Sequence, residues 1–275
     1  MEEPKKKEKK EKNIICFLTV APAAAFYTFA ASLQNEKYQV YVVIDNNQYV
    51  VPAEAAEAVA KITKIIRMEE MACALQGFYG SLLYFKNKKP CARDKALCYF
   101  STTTAATFDS FDSFGYLWLL EEDVFVPHIN TIANLDQKYP RGDLLCKRCD
   151  GNIIRTPTDL RENANKWHWP QIQKTIKCPL PWAATMICAV RISPRLLDVI
   201  AQYAARHKQL FLDEVLFLTL ARHAKLHILF IEEMNHLNYK EPPIKKMAQI
   251  NPMYLYHPVK NTALHDTFRH FLGTF

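Results

Sequence analysis

Residues 116–128 read YLWLLEEDVFVPH, with three acidic residues, Glu121-Glu122-Asp123, set between two runs of bulky apolar and aromatic side chains. The apolar flanks predict a strand buried in the middle of a sheet. The acids cannot share that environment, because a carboxylate removed from water without a cation or donors is strongly disfavoured. They are expected at the strand's exit. Two readings follow: a strand end with solvated acids, or a divalent-metal site whose hard oxygen ligands bind Mg²⁺ or Mn²⁺ against a phosphate. On an extended chain, Glu121 and Asp123 lie two residues apart and project to one side, where they can share a cation, while Glu122 projects to the other.

Outward from this stretch the chain alternates. NIICFLTVAP (13–22) and YQVYVVIDNN (38–47) read as strands, and AAAFYTFAASLQ and the start of AEAAEAVAKITKIIRM read as helices. ARDKALCYFSTT then reads as a helix, YLWLLEEDVFV as a strand and PHINTIANLDQKY as a helix opening. From about Tyr139 to Pro181 the text is loop-rich, with Trp167, Trp169 and Trp182 in or beside it; at least one of them reads as core, and any exposed face can stack on the apolar face of a sugar ring. ATMICAVRIS resumes as a strand, PRLLDVIAQYAARH and LDEVLFLTLARHAKL read as helices, and HILFIEE gives a last strand. Strands alternating with helices predict a mixed, mostly parallel sheet flanked by helices, with ligands at the carboxyl ends of its strands.

Composition bounds the answer. With 275 residues, 49% hydrophobic and 12% aromatic, the chain can bury a large core without disulfides or metals. Residues 1–12, MEEPKKKEKKEK, have no apolar face and read as a disordered, solvated tail that carries part of the net charge of +7. Residues 13–275 read as a single domain. No run approaches the roughly twenty apolar residues of a membrane span. A soluble, cytoplasmic chain is expected, without nucleic-acid partners. Eight cysteines in scattered contexts suit a reducing compartment, and Cys146 and Cys149 have no second pair at comparable spacing for zinc.

The chain has only six glycines and lacks GxxxxGK[ST], GxGxxG, HExxH and GxSxG. A protein that grips a nucleoside diphosphate here must do so through metal and side chains rather than a glycine nest.

With these features the chain resembles GT-A glycosyltransferases, in which a DxD-type motif closes a central strand and its metal bridges the donor's diphosphate; Glu121-x-Asp123 matches as an ExD variant. The blocks KPCARDKALCYF, YLWLLEEDVFVPH, LDQKYPRGDLL, PWAATMICAVRIS, LFLDEVLFLTLAR and LYHPVK together resemble a family of chloroviruses and algae. That family includes viral xylosyltransferases of capsid glycans, and the similarity covers roughly residues 13–261. It implies a UDP-sugar donor, UDP-xylose first, a Mn²⁺ or Mg²⁺ cofactor, and a glycan acceptor such as fucose on a viral capsid glycan, in the host cytoplasm if the chain is viral.

The resemblance also implies site residues. Glu121 and Asp123 with His257 would hold the metal. Glu214, with Asp213 beside it, is similar to the catalytic base segment of branching N-acetylglucosaminyltransferases. A first-turn position would keep that base ionised, and Asp213 can equally be read as a helix cap with Glu214 an ordinary first-turn acid. Lys260 would contact a phosphate. Thr19, Ala21 and Asp45 would line the uracil and ribose, with Asp45 equally readable as a plain turn residue, and Arg93, Asp94 and Lys95 would touch the donor sugar and ribose or form a charged helix face. The resemblance makes 13–138 the nucleotide-sugar half and 139–275 the acceptor half. The family usually carries tryptophan where Arg93 stands. Two rival readings remain open: a non-catalytic glycan- or nucleotide-binding module, and a metal-dependent nucleotidyltransferase.

Overall fold

Continuous apolar runs such as IICFL and YVVI can be buried on both faces, which suits parallel strands covered by helices. A computed structural model describes residues 11–81, 89–107 (backbone only from 103), 114–148, 153–163, 169–239, 244 and 246–273. The strands are β1 (Lys12–Thr19), β2 (Tyr38–Ile44), β3 (Lys64–Ile66), β4 (Phe114–Glu121), β5 (Leu144–Cys146), β6 (Ile153–Ile154), β7 (Trp182–Ala183), β8 (Ala189–Ile192) and β9 (Ile228–Phe230). The helices are α1 (Ala24–Ser32), α2 (Ala56–Lys61), α3 (Glu70–Leu75), α4 (Ala92–Thr107), α5 (Thr131–Lys138), α6 (Pro157–Glu162), α7 (Trp169–Ile172), α8 (Pro194–His207), α9 (Asp213–His223) and α10 (Ala263–Phe271).

Among the described residues the main sheet has seven strands in the order β3-β2-β1-β4-β8-β5-β9, and β6 pairs with β7 in a small separate ribbon. Within the main sheet, among the described residues, only β8 runs against its neighbours β4 and β5. The carboxyl ends of β1, β2, β4, β5 and β9 consequently share one edge, and the strand order reverses between β1 and β4. Strands from residues 13–138 and from 139–275 lie side by side in this sheet.

The alternation of β4 divides two cores. Leu117 and Leu119 pack with α4, α8 and α9, whereas Trp118 and Leu120 pack with α1 and α5. Each such fully buried side chain contributes about 1.5–3 kcal/mol relative to exposure. At the amino ends of the strands Asp136 accepts hydrogen bonds from Asn13 Nδ2 (2.8 Å), Tyr38 OH (2.6 Å), Trp118 Nε1 (3.1 Å) and Arg191 Nη1 (2.7 Å). Arg191 in turn lies over the Tyr116 ring, 3.9 Å from its centroid. One carboxylate thus ties α5 to β1, β2, β4 and β8.

Several expectations are corrected. The strand of the opening stretch stops at Glu121, and Glu122 and Asp123 form a turn. Phe125 beyond it joins only an isolated bridge to Tyr256, which carries the chain off the sheet toward its C-terminal segment. The loop-rich stretch contains β5, a fully buried strand too short to show a period in the sequence. Trp169 and Trp182 belong to the core, the latter donating its indole N–H to Cys178 O (3.0 Å), so neither presents a face to a sugar; Trp167 lies outside the described residues. So does Cys149, and Cys146 is buried within β5. Residues 1–10 of the expected tail lie outside the described residues, while Lys12 already belongs to β1. No helix among the described residues is long and apolar enough to cross a membrane.

Candidate active site

A cavity of about 390 Å³ opens at the carboxyl ends of β1, β2 and β4, and its walls include Val20, Asp45, Arg93, Glu121, Asp123, Asp213 and Lys260. In a sheet of this kind, the point where strand order reverses is where a crevice forms.

Glu121 closes β4 and Asp123 follows in the turn, bonded through its carbonyl by Val259 N (2.9 Å). That bond brings the C-terminal segment over the strand exit. His257 Nε2 comes to 3.2 Å from Asp123 Oδ1 and 3.6 Å from Glu121 Oε2. Ligand atoms of all three residues lie within 4.8 Å of one another. On its other side His257 Nδ1 is 2.7 Å from Asn238 O, a carbonyl that can only accept, so Nδ1 carries a proton and Nε2 faces the acids. Burial lowers the His257 pKa, but the Asp123 carboxylate, with Glu121 beside it, more than offsets this and raises it. Two carboxylates and an imidazole fixed by a backbone carbonyl make a donor set that fits a divalent cation of the Mn²⁺ or Mg²⁺ class.

Arg93 lies deeper, with its side chain 4% exposed. Its Nη2 donates to Glu121 Oε1 (2.7 Å) and Ile187 O (3.0 Å), and its Nη1 donates to Asp213 Oδ2. These bonds make Arg93 a clamp between two acids at the border of the cavity. Asp213 also accepts from Glu214 N (2.8 Å); burial raises its pKa and the Arg93 charge only partly opposes the rise.

Glu214 is half-buried in the first turn of α9 and is not among the residues lining the cavity. Burial, followed by the Asp213 charge, lifts its carboxyl to about 7. The expected ionising effect of the helix terminus is therefore outweighed by desolvation.

The remaining expected contacts separate. Asp45 lines the cavity and is held from behind by the fully buried Lys95, whose Nζ lies 2.7 Å from Asp45 Oδ1 and 3.0 Å from Asp45 O. Lys95 itself does not reach the cavity wall. Asp94 is also fully buried; it accepts from Cys91 N (3.1 Å), and burial lifts its pKa to about 6. Both face into the protein because α4 packs that side of its first turn inward. Thr19 lines the cavity, but its hydroxyl is spent on Val43 O (3.0 Å). Ala21 is exposed and off the wall, where its neighbour Val20 stands instead. Lys260 is exposed at the rim. Cys91, Glu122 and Thr262 also line the cavity; the expectation that Glu122 projects away from Glu121 and Asp123 is corrected, because strand alternation ends at Glu121 and Glu122 lies in the turn, accepting from Val20 N (3.2 Å). The adjacency of Glu122 to the acidic pair and of Cys91 to Arg93 was the available signal; Thr262 offered none.

No protein-family model and no curated protein matches the chain. Among solved structures, the chain is similar to mouse xyloside xylosyltransferase 1 in its apo form, over 92% of this chain and 99% of that one, with a TM-score of 0.44 and 12% identity. A likeness of that size assigns no activity, and the chemistry rests on the residues above.

Proposed function

We propose that this protein is a metal-dependent glycosyltransferase of the GT-A type that moves a sugar from a nucleoside diphosphate donor to a glycan hydroxyl with inversion. The observation that carries the reading is the Glu121, Asp123 and His257 cluster at the rim of a cavity where the strand order reverses. The resemblance of the sequence to chlorovirus xylosyltransferases supports UDP-xylose as donor and a capsid glycan as acceptor. Residues 13–138 then form the nucleotide-sugar half, completed by His257 and Lys260, and the rest of 139–275 the acceptor half.

Glu121, Asp123 and His257 would hold Mn²⁺ or Mg²⁺, which when bound neutralises charge on the diphosphate. Lys260, exposed beside the acids, reaches a phosphate oxygen. Asp45, braced by Lys95, offers its carboxylate to ribose hydroxyls. Glu214 takes the proton of the acceptor hydroxyl as its oxygen attacks the anomeric carbon. The bond from that carbon to the β-phosphate oxygen breaks with its electron pair, releasing the nucleoside diphosphate. A carboxyl near 7 suits this task, since a base works best with a pKa close to the operating pH.

The test is a panel of UDP-sugars, with and without Mn²⁺, read by thermal shift and by UDP release. Stabilisation and turnover that both need Mn²⁺, with UDP-xylose leading, support the reading. Mn²⁺-dependent UDP binding without turnover assigns a binding module, and pyrophosphate release assigns a nucleotidyltransferase. No stabilisation by any donor removes the donor assignment.

A further inference from the structure

Lys147 follows directly on β5, at the same sheet edge as the exit of β4. Its ammonium donates to Leu237 O (2.7 Å) and to Asn238 Oδ1 (3.1 Å), in the segment that follows β9. Asn238 is the residue whose carbonyl faces His257 Nδ1 at 2.7 Å. The two segments are paired by backbone as well, Asn238 N donating to His257 O (2.9 Å) and His257 N to His236 O (3.2 Å). In the other direction, the buried Thr185 donates its hydroxyl to Lys147 O (2.6 Å) and its N–H to Glu214 O (2.9 Å). A continuous hydrogen-bonded path therefore runs from the backbone of Glu214 through Thr185, Lys147 and Asn238 to the ring of His257.

We infer that Lys147 is a positioning residue that aims His257 Nε2 at Glu121 and Asp123, and that Thr185 keeps Glu214 in register with it. The inference rests on the metal and base roles proposed above. Lys147 suits the task because its ammonium places two donors on neighbouring acceptors of one segment, and rotation of the Asn238 carbonyl would turn the imidazole away from the acids. Groups that orient a metal-bound histidine act at one remove, and their loss typically costs about 10–100-fold in metal affinity.

The experiment measures Mn²⁺ affinity by the paramagnetic resonance signal of free Mn²⁺, together with kcat and donor KM, for the parent chain and for Lys147→Met, Lys147→Arg, Asn238→Ala and Thr185→Val. Lys147→Met is expected to weaken Mn²⁺ binding at least tenfold and Lys147→Arg, which retains paired donors, to restore most of it. Asn238→Ala, which removes one acceptor but keeps the carbonyl, decides the matter if Lys147→Met does not fold, and is expected to weaken Mn²⁺ severalfold. Thr185→Val is expected to lower kcat with donor KM unchanged. Mn²⁺ affinity within twofold of the parent in a folded Lys147→Met, or in Asn238→Ala where that variant must decide, overturns the inference while leaving the metal reading intact. Absence of Mn²⁺ binding by the parent overturns the metal reading itself and this inference with it.

Discussion

Arg93 Nη2 stands 2.7 Å from Glu121 Oε1, while the other oxygen of that carboxylate stands 3.6 Å from His257 Nε2. One acid is thereby divided between a buried guanidinium and the candidate metal position. Removing the guanidinium leaves Glu121 and Asp213 facing each other without compensation. Arg93→Met should lower stability by roughly 3–5 kcal/mol in denaturant melts, the usual consequence of breaking a buried pair. Raised Mn²⁺ should lift the absolute stability of variant and parent alike, because a ligand that binds only the folded chain stabilises it by mass action.

The three ligand candidates should differ in weight from their outer support. His257→Ala and Asp123→Asn should each weaken Mn²⁺ beyond the about 10–100-fold expected of residues that merely orient a ligand. Titration calorimetry reads this directly, and affinities unchanged in both variants would remove them from the metal shell.

Glu214→Gln should cut turnover by roughly 10²–10⁴ while donor and Mn²⁺ binding persist. The pH dependence has a definite sign. With the carboxyl raised to about 7, the protonated form that predominates below that pH cannot accept a proton, so kcat should rise as pH increases through about 7. In Glu214→Gln this limb should vanish from the residual rate. An unchanged acid limb would assign it to another group.

Far from the cavity, Asp136→Ala strands Arg191 and leaves three other donors without their acceptor. A loss of roughly 3–5 kcal/mol in urea unfolding is expected, with Mn²⁺ affinity of the surviving folded fraction unaltered. An equal loss of affinity would show that the two ends of the sheet are coupled.

What could be read in the sequence follows the range of the forces involved. Strands β1, β2 and β4 and helices α1, α4, α8 and α9 announce themselves because their apolar patterns are long and local. β5 does not, since three buried residues carry no period and its pairing with β8 and β9 is set by segments far away. Within the site, the acidic stretch signalled its own position at a strand end. Whether a charged side chain faces the cavity or the core depends on which side of α4 is packed, so Arg93, Asp94 and Lys95 looked alike and ended in three different roles. The raised carboxyl of Glu214 was equally hidden, because desolvation depends on neighbours that only the folded chain supplies.

The bond from Val259 N to Asp123 O, with the bridge between Phe125 and Tyr256 beside it, closes the acidic turn with a segment made long after it. During synthesis the acids at the exit of β4 emerge without the imidazole that faces them in the folded chain, and they stay so until residue 257 has cleared the ribosome. A ribosome-stalled chain ending before Tyr256 would present Glu121 and Asp123 as an open, acidic loop end.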